Sequence, residues 1–175
     1  MNGPLRHSLS GTVAFLLFGL LILFVRLMPL SPGDPGLPGA DLTLCLSFAW
    51  VLRRPDQVPA LSIAGLALIG DLLLDRPFGL WSFLLLIGTE MLRARYQRWS
   101  DQAFLFEWLR IAILTGLMMI GYRTTMILFL LPVPSLGPVV LVWLATVVAY
   151  PVVVMVLYLI GVRRLSKAEL EMMVN

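Results

Sequence analysis

Apolar runs separated by short breaks of charge, proline or glycine make up nearly the whole chain. They cover about 9–28, 41–53, 57–75, 78–94, 103–131 and 139–162. All but one have at least the ~17 residues that a helix needs to cross a bilayer. The exception is 41–53, whose dozen or so residues give only ~18 Å of helix at ~1.5 Å per residue. Asp41 is placed to cap that helix, which is either a span whose ends protein shelters or a re-entrant segment. The run that organises the others reads PALSIAGLALIGDLLLDRPFGL from Pro59 to Leu80. Asp71 and Asp75, four residues apart, are expected on one helix face near its end. Pro77 then stops the helix and Gly79 turns the chain into the next run, so Gly70, Pro77 and Gly79 frame an acidic elbow.

Further local features follow from the same reading. The run 9–28 has the outline of a signal peptide, but Pro29-Leu30-Ser31-Pro32 replaces a small-x-small cleavage site, so an uncleaved first span is expected. Prolines 29, 32, 35 and 38 give an extended loop. The run 103–131 is long enough to imply tilt, and Pro151 is expected to kink 139–162. Ala60 and Ala64, and likewise Ala145 and Ala149, stand at small-xxx-small spacing. Such faces admit another helix closely, from within the bundle or from a partner.

Composition and charge narrow the class. Of 175 residues, 59% are hydrophobic and 13% charged, and the mean hydropathy is +0.93; a soluble domain carries about a quarter charged residues. This is the composition of an integral membrane protein in one domain, 1–175. The net charge of +3 does not point to nucleic acid, because the charges lie at the ends of the apolar runs. If all six runs cross and the N-terminus is cytoplasmic, nine basic residues (Arg6, Arg53, Arg54, Arg93, Arg95, Arg98, Arg163, Arg164 and Lys167) fall inside. Outside falls Arg76, with Arg26 close to it, as the positive-inside rule requires. The expected fold is therefore an all-α bundle of six transmembrane helices with both termini cytoplasmic.

Depth sorts the remaining charges into two expected layers. Asp71, Asp75, Arg123 and Arg26 lie toward the outer side, and Glu90, Glu107 and Arg110 toward the cytoplasmic side. Pairing within each layer would remove the cost of isolated charge and fix helix register. Arg93, Arg95, Arg98 and Trp99 form a basic, aromatic stretch suited to lipid headgroups. Little speaks for catalysis. His7 is the one histidine and Cys45 the one cysteine, and no phosphate loop or His-Glu-x-x-His motif occurs. Asp71-x-x-x-Asp75 looks like the tail of the metal-binding motif of membrane phosphatidyltransferases, but the earlier Asp-x-x-Asp-Gly is missing. A proton or ion relay is a third reading of the buried acids. No enzyme, cofactor or metal is expected.

The elbow Gly65…Gly70-Asp71-Leu72-Leu73-Leu74-Asp75…Pro77-Phe78-Gly79 resembles the MreD family of bacterial rod-shape proteins. The resemblance extends to the length, the proline-rich loop before Asp41, the short helix ending at Arg53-Arg54-Pro55 and the short tail. It implies a noncatalytic scaffold in the bacterial inner membrane that binds the single-span protein MreC. The implied surroundings are the peptidoglycan elongation machinery, with MreB, a RodA-type glycosyltransferase and its transpeptidase partner. It also implies a fold similar to the six-helix substrate-binding subunits of vitamin (energy-coupling factor) transporters, and such a subunit is the alternative function. Those subunits carry small residues at four-residue spacing on helix 1, where this chain offers the single step Ser10 to Ala14.

Overall fold

The computed structural model describes residues 3–28, 39–96 and 102–162, with side chains from residue 9 onward. Arg98, Trp99, the proline-rich stretch 29–38 and the tail from residue 163 lie outside the described residues. Within them the chain is all helical, with no strand. The elements are α1 (Gly3–Leu27), α2 (Leu42–Val51), α3 (Ala60–Leu73), α4 (Leu80–Ala94), α5 (Phe104–Leu128) and α6 (Leu136–Leu159). In α1 the stretch Leu9–Leu27, together with all of α5 and α6, is long and apolar enough to cross a membrane. α2 and α3 are apolar but shorter.

α2 is the centre of the molecule. Every one of its residues except Leu42 is buried, and it packs against α1, α4 and α6. The other helices follow one another around it through the pairs α1–α3, α3–α4, α4–α5 and α5–α6. The arrangement explains how so short a helix can be so apolar: its ~15 Å need not meet lipid, because other helices cover it on all sides. Phe48, Trp50 and Leu44 of α2 pack with Phe15 of α1, Ile63 and Leu66 of α3 and Leu85 of α4. Phe15 meets Trp50 edge to face at 5.7 Å, a favourable aromatic geometry. Gly88 of α4 permits a close approach to two other helices, since a Cβ there would stand 3.0 Å from both Phe48 Cζ and Met118 Sδ.

The outer surfaces are apolar as well. Leu9, Val13, Leu17, Leu20, Leu21 and Phe24 of α1 are all exposed. A patch of this extent suits hydrocarbon and not water.

Three helices end on the same backbone device. After α3, Asp75 takes φ 52° and the Arg76 N–H bonds the Asp71 carbonyl at 3.0 Å. After α5, Leu130 takes φ 55° and the Leu131 N–H bonds the Met126 carbonyl; after α6, Gly161 takes φ 92° and the Val162 N–H bonds the Leu157 carbonyl. A left-handed residue followed by this six-to-one bond is the Schellman motif. It corrects the sequence reading of the elbow. α3 ends at Leu73 instead of reaching Asp75, so the two acids do not share a helix face: Asp71 is buried and Asp75 exposed.

Candidate functional site

The described polar side chains that are buried gather mainly at the two ends of α2. At its N-terminus Asp41 accepts the Leu44 N–H at 3.1 Å, the capping role expected from sequence. Its backbone N–H donates to Thr146 Oγ1 of α6 at 3.0 Å. The same carboxylate is held by two arginines. Arg76, from the α3–α4 elbow, lies 3.3 Å away and Arg26, at the end of α1, 3.7 Å away. Arg76 also rests over the Trp81 ring, 5.2 Å from its centroid, and Trp81 meets Tyr122 of α5 edge to face at 5.5 Å. The Asp41 carboxylate thus ties the end of α1 and the α3–α4 elbow to the start of α2, its backbone N–H reaches the middle of α6, and α4 and α5 are joined through the rings.

Asp71 serves the elbow itself. Its Oδ2 accepts the Gly79 N–H at 3.1 Å, the Ser82 N–H at 3.1 Å and the Ser82 hydroxyl at 2.7 Å. Gly79, which precedes α4 with φ 82°, has no side chain to cap that helix. Asp71 caps it from the preceding helix, placing negative charge where the α4 dipole favours it. Asp71 Oδ1 is buried with no hydrogen-bond partner among the described residues.

At the other end, Arg53 follows α2 directly. It donates to the Ala49 carbonyl at 2.8 Å and to Glu107 Oε1 of α5 at 3.3 Å. Tyr150 of α6 donates to the same Glu107 oxygen at 2.5 Å. Arg53, Glu107 and Tyr150 are all buried. A cation just past the C-terminus of α2 and an anion at its N-terminus both match the helix dipole. Beside this lock, Trp50 Nε1 donates to Gln57 Oε1 at 3.2 Å, and Arg93 of α4 donates to the Pro55 and Val58 carbonyls at 2.8 and 2.5 Å.

The layers expected from sequence are rearranged. Asp71, Asp75, Arg26 and Arg123 all lie at the elbow end, but they do not pair with one another. Arg26 goes to Asp41, Asp71 goes to the start of α4, and Arg123 donates to the Pro134 carbonyl. Asp75 makes no side-chain hydrogen bond or ion pair among the described residues. Glu90 pairs with Arg93 at 3.0 Å, one turn along its own helix, and shares no lock with Glu107. Arg110 is half-buried on α5, and Arg95 is exposed. Of the alanines, Ala60 is exposed, while Ala64, Ala145 and Ala149 are half-buried.

Asp41 as an ionic hub, Arg53 as a buried partner, and Ser82, Thr146 and Tyr150 were not singled out in the sequence. Asp41 had the look of a cap alone and Arg53 of a topology signal. The usable clue was arithmetic: Arg26 and Arg76 both fall near the start of the run 41–53, where Asp41 is the acid between them.

These groups can hold helices together and bind a counter-ion. Among the described residues no three His, Cys, Asp or Glu side chains gather to hold a metal, and Cys45 is buried with its thiol donating to the Thr146 carbonyl at 3.4 Å. Beside the Asp41 hub a cavity of about 190 Å³ opens between α4, α5 and α6, lined by Arg76, Trp81, Tyr122 and Arg123. Comparison with protein-family models, curated proteins and solved structures returns no match.

Proposed function

We propose that the chain is a noncatalytic membrane scaffold of the MreD type, with six helices crossing the bacterial inner membrane and both termini cytoplasmic. Its partner is a single-span protein of the MreC type, within the peptidoglycan elongation machinery that includes MreB, a RodA-type glycosyltransferase and its transpeptidase. The observation that carries a scaffold reading is the use of the buried charge. Asp41, Asp71, Arg53 and Glu107 each join different helices, which rigidifies the bundle and leaves broad apolar faces for partner helices. The elbow Gly70-Asp71…Asp75…Pro77-Phe78-Gly79 supports the family.

Affinity capture from native membranes through a tag at the C-terminus, with mass spectrometry of what accompanies it, tests the proposal. Recovery of MreC and the elongation synthase is the expected result. Recovery of an ATPase pair with a coupling membrane subunit would replace it with a vitamin-type substrate-binding subunit.

A further inference from the structure

Two cavities meet on the face between α5 and α6. The first is the one beside Asp41, with Arg76 and Arg123 in its wall. The second, of about 240 Å³, continues from it, the two sharing Met119, Arg123 and Val139. In this second cavity Gly116, Ile120 and Arg123 of α5 stand at i, i+4 and i+7, and Leu136, Val140 and Trp143 of α6 repeat the spacing. Each set lies on one face of its helix, so the cavity is a groove running along the pair. From Gly116 to Arg123 it extends ~10 Å. The far end is closed by Trp143, whose indole donates to the Ala112 carbonyl at 2.9 Å. Ile120, Leu136 and Val140 are 64%, 62% and 47% exposed, so the groove opens sideways toward the surrounding bilayer.

Charge is confined to the mouth. Arg123 sits five residues before the end of α5 at Leu128, hence ~8 Å inward of it. It donates to the Pro134 carbonyl and has no acidic partner among the described residues. A guanidinium has five N–H donors, so one carbonyl leaves most of them unused. Arg76, the second cation of the mouth, already shares Asp41 with Arg26. Around the first cavity two arginines face one aspartate. Asp71 lies behind the wall, with Oδ2 turned to the start of α4, and Asp75 is exposed on the elbow. An arginine at membrane depth without an anion is costly, and a phosphate is the anion its fork matches best.

We propose that this groove binds one phospholipid, its phosphate at Arg123 and Arg76 and an acyl chain along Ile120 and Val140 toward Trp143. A free phosphate would leave the apolar groove unused. A transmembrane helix without an acidic side chain at this depth would leave Arg123 unpaired. The inference goes beyond the scaffold reading and stands independently of it.

The test is native mass spectrometry of the full chain, stripped of lipid in detergent and then offered phosphatidylglycerol, diacylglycerol with the same acyl chains, or inorganic phosphate. The wild type retains one phosphatidylglycerol per chain. Diacylglycerol is held about tenfold more weakly, and Arg123→Gln reduces phosphatidylglycerol retention by about tenfold while Arg123→Lys keeps part of it. Equal retention of diacylglycerol, or equal retention by Arg123→Gln, overturns the phosphate role. Displacement of the lipid by inorganic phosphate shows a free-anion site, and a doubled protein mass without lipid shows a second copy on this face; either overturns the proposal. Should Arg123→Gln fail to fold, Val140→Phe, which narrows the groove without touching the charge, decides: lost retention supports the proposal and full retention overturns it.

Discussion

Asp71 shows how a buried carboxylate is kept inside an apolar helical bundle. Its Oδ2 takes three donors at the start of α4; one of them, the Ser82 N–H, is the group an N-cap side chain would bond, and Gly79 has none. Replacing Asp71 by Ala removes all three bonds, whereas Ser82→Ala removes one. Asp71→Ala is expected to cost ~2–3 kcal/mol and Ser82→Ala ~1 kcal/mol. Thermal unfolding in detergent checks the order, and equal losses would show that Asp71 is not the cap. Leu130 is the opposite case. It holds a left-handed backbone at φ 55° with its side chain 93% exposed, so strain is met by no packing. The same position after α6 is Gly161. Leu130→Gly should raise stability by ~0.5–1 kcal/mol, the steric relief exceeding the added chain entropy. A lowered melting temperature would contradict it.

At the level of elements, α2 is short because both of its ends are inside the protein. Asp41 and Arg53 are both buried, each with the sign its end of the helix dipole favours, and each is answered from other helices. Breaking such a pair leaves one charge stranded, while removing both can be nearly harmless. Arg53→Met should therefore lower stability by ~3 kcal/mol, and adding Glu107→Gln should recover much of it. Additive losses in the double variant would rule out direct coupling. The Gly88 contact with Phe48 and Met118 sets the spacing of α4 from α2 and α5, so Gly88→Val should cost ~1–3 kcal/mol by overpacking. Hydropathy made the helices legible, because long apolar runs bounded by proline, glycine and charge can form little else in a membrane. It could not order them: that 41–53 lies at the centre follows from packing, and a helix apolar all round carries no mark of which face meets protein. The ionic partners were hidden for a related reason. Asp71 and Asp75 looked stacked only while the helix was taken to continue, and once Asp75 turns left-handed they part.

For the whole molecule, the two locks face opposite ends of α2, and the way the chain passes between them bears on topology. At the elbow end meet Arg26, Asp41, Arg76, Trp81 and Tyr122; at the other, Arg53 and Glu107, with Arg93 closing over the α2–α3 connection. Glu107 opens α5 and Arg123 lies toward its close, so α5 runs from one lock to the other. Its length and hydropathy are sufficient for a full crossing. The residues flanking α5 should then lie on opposite sides of the membrane, and on the proposed topology the Arg53 end should face the cytoplasm. Gln102 and Ser135 are exposed at those two positions. In a Cys45→Ala background, Ser135→Cys should react with a membrane-impermeant thiol reagent on intact spheroplasts, and Gln102→Cys only after permeabilisation. The reverse pattern would turn the bundle over, placing the Asp41 hub and its cavity on the cytoplasmic side. Labelling of both sites in intact spheroplasts would mean that α5 does not cross, and the six-span arrangement would fall with it.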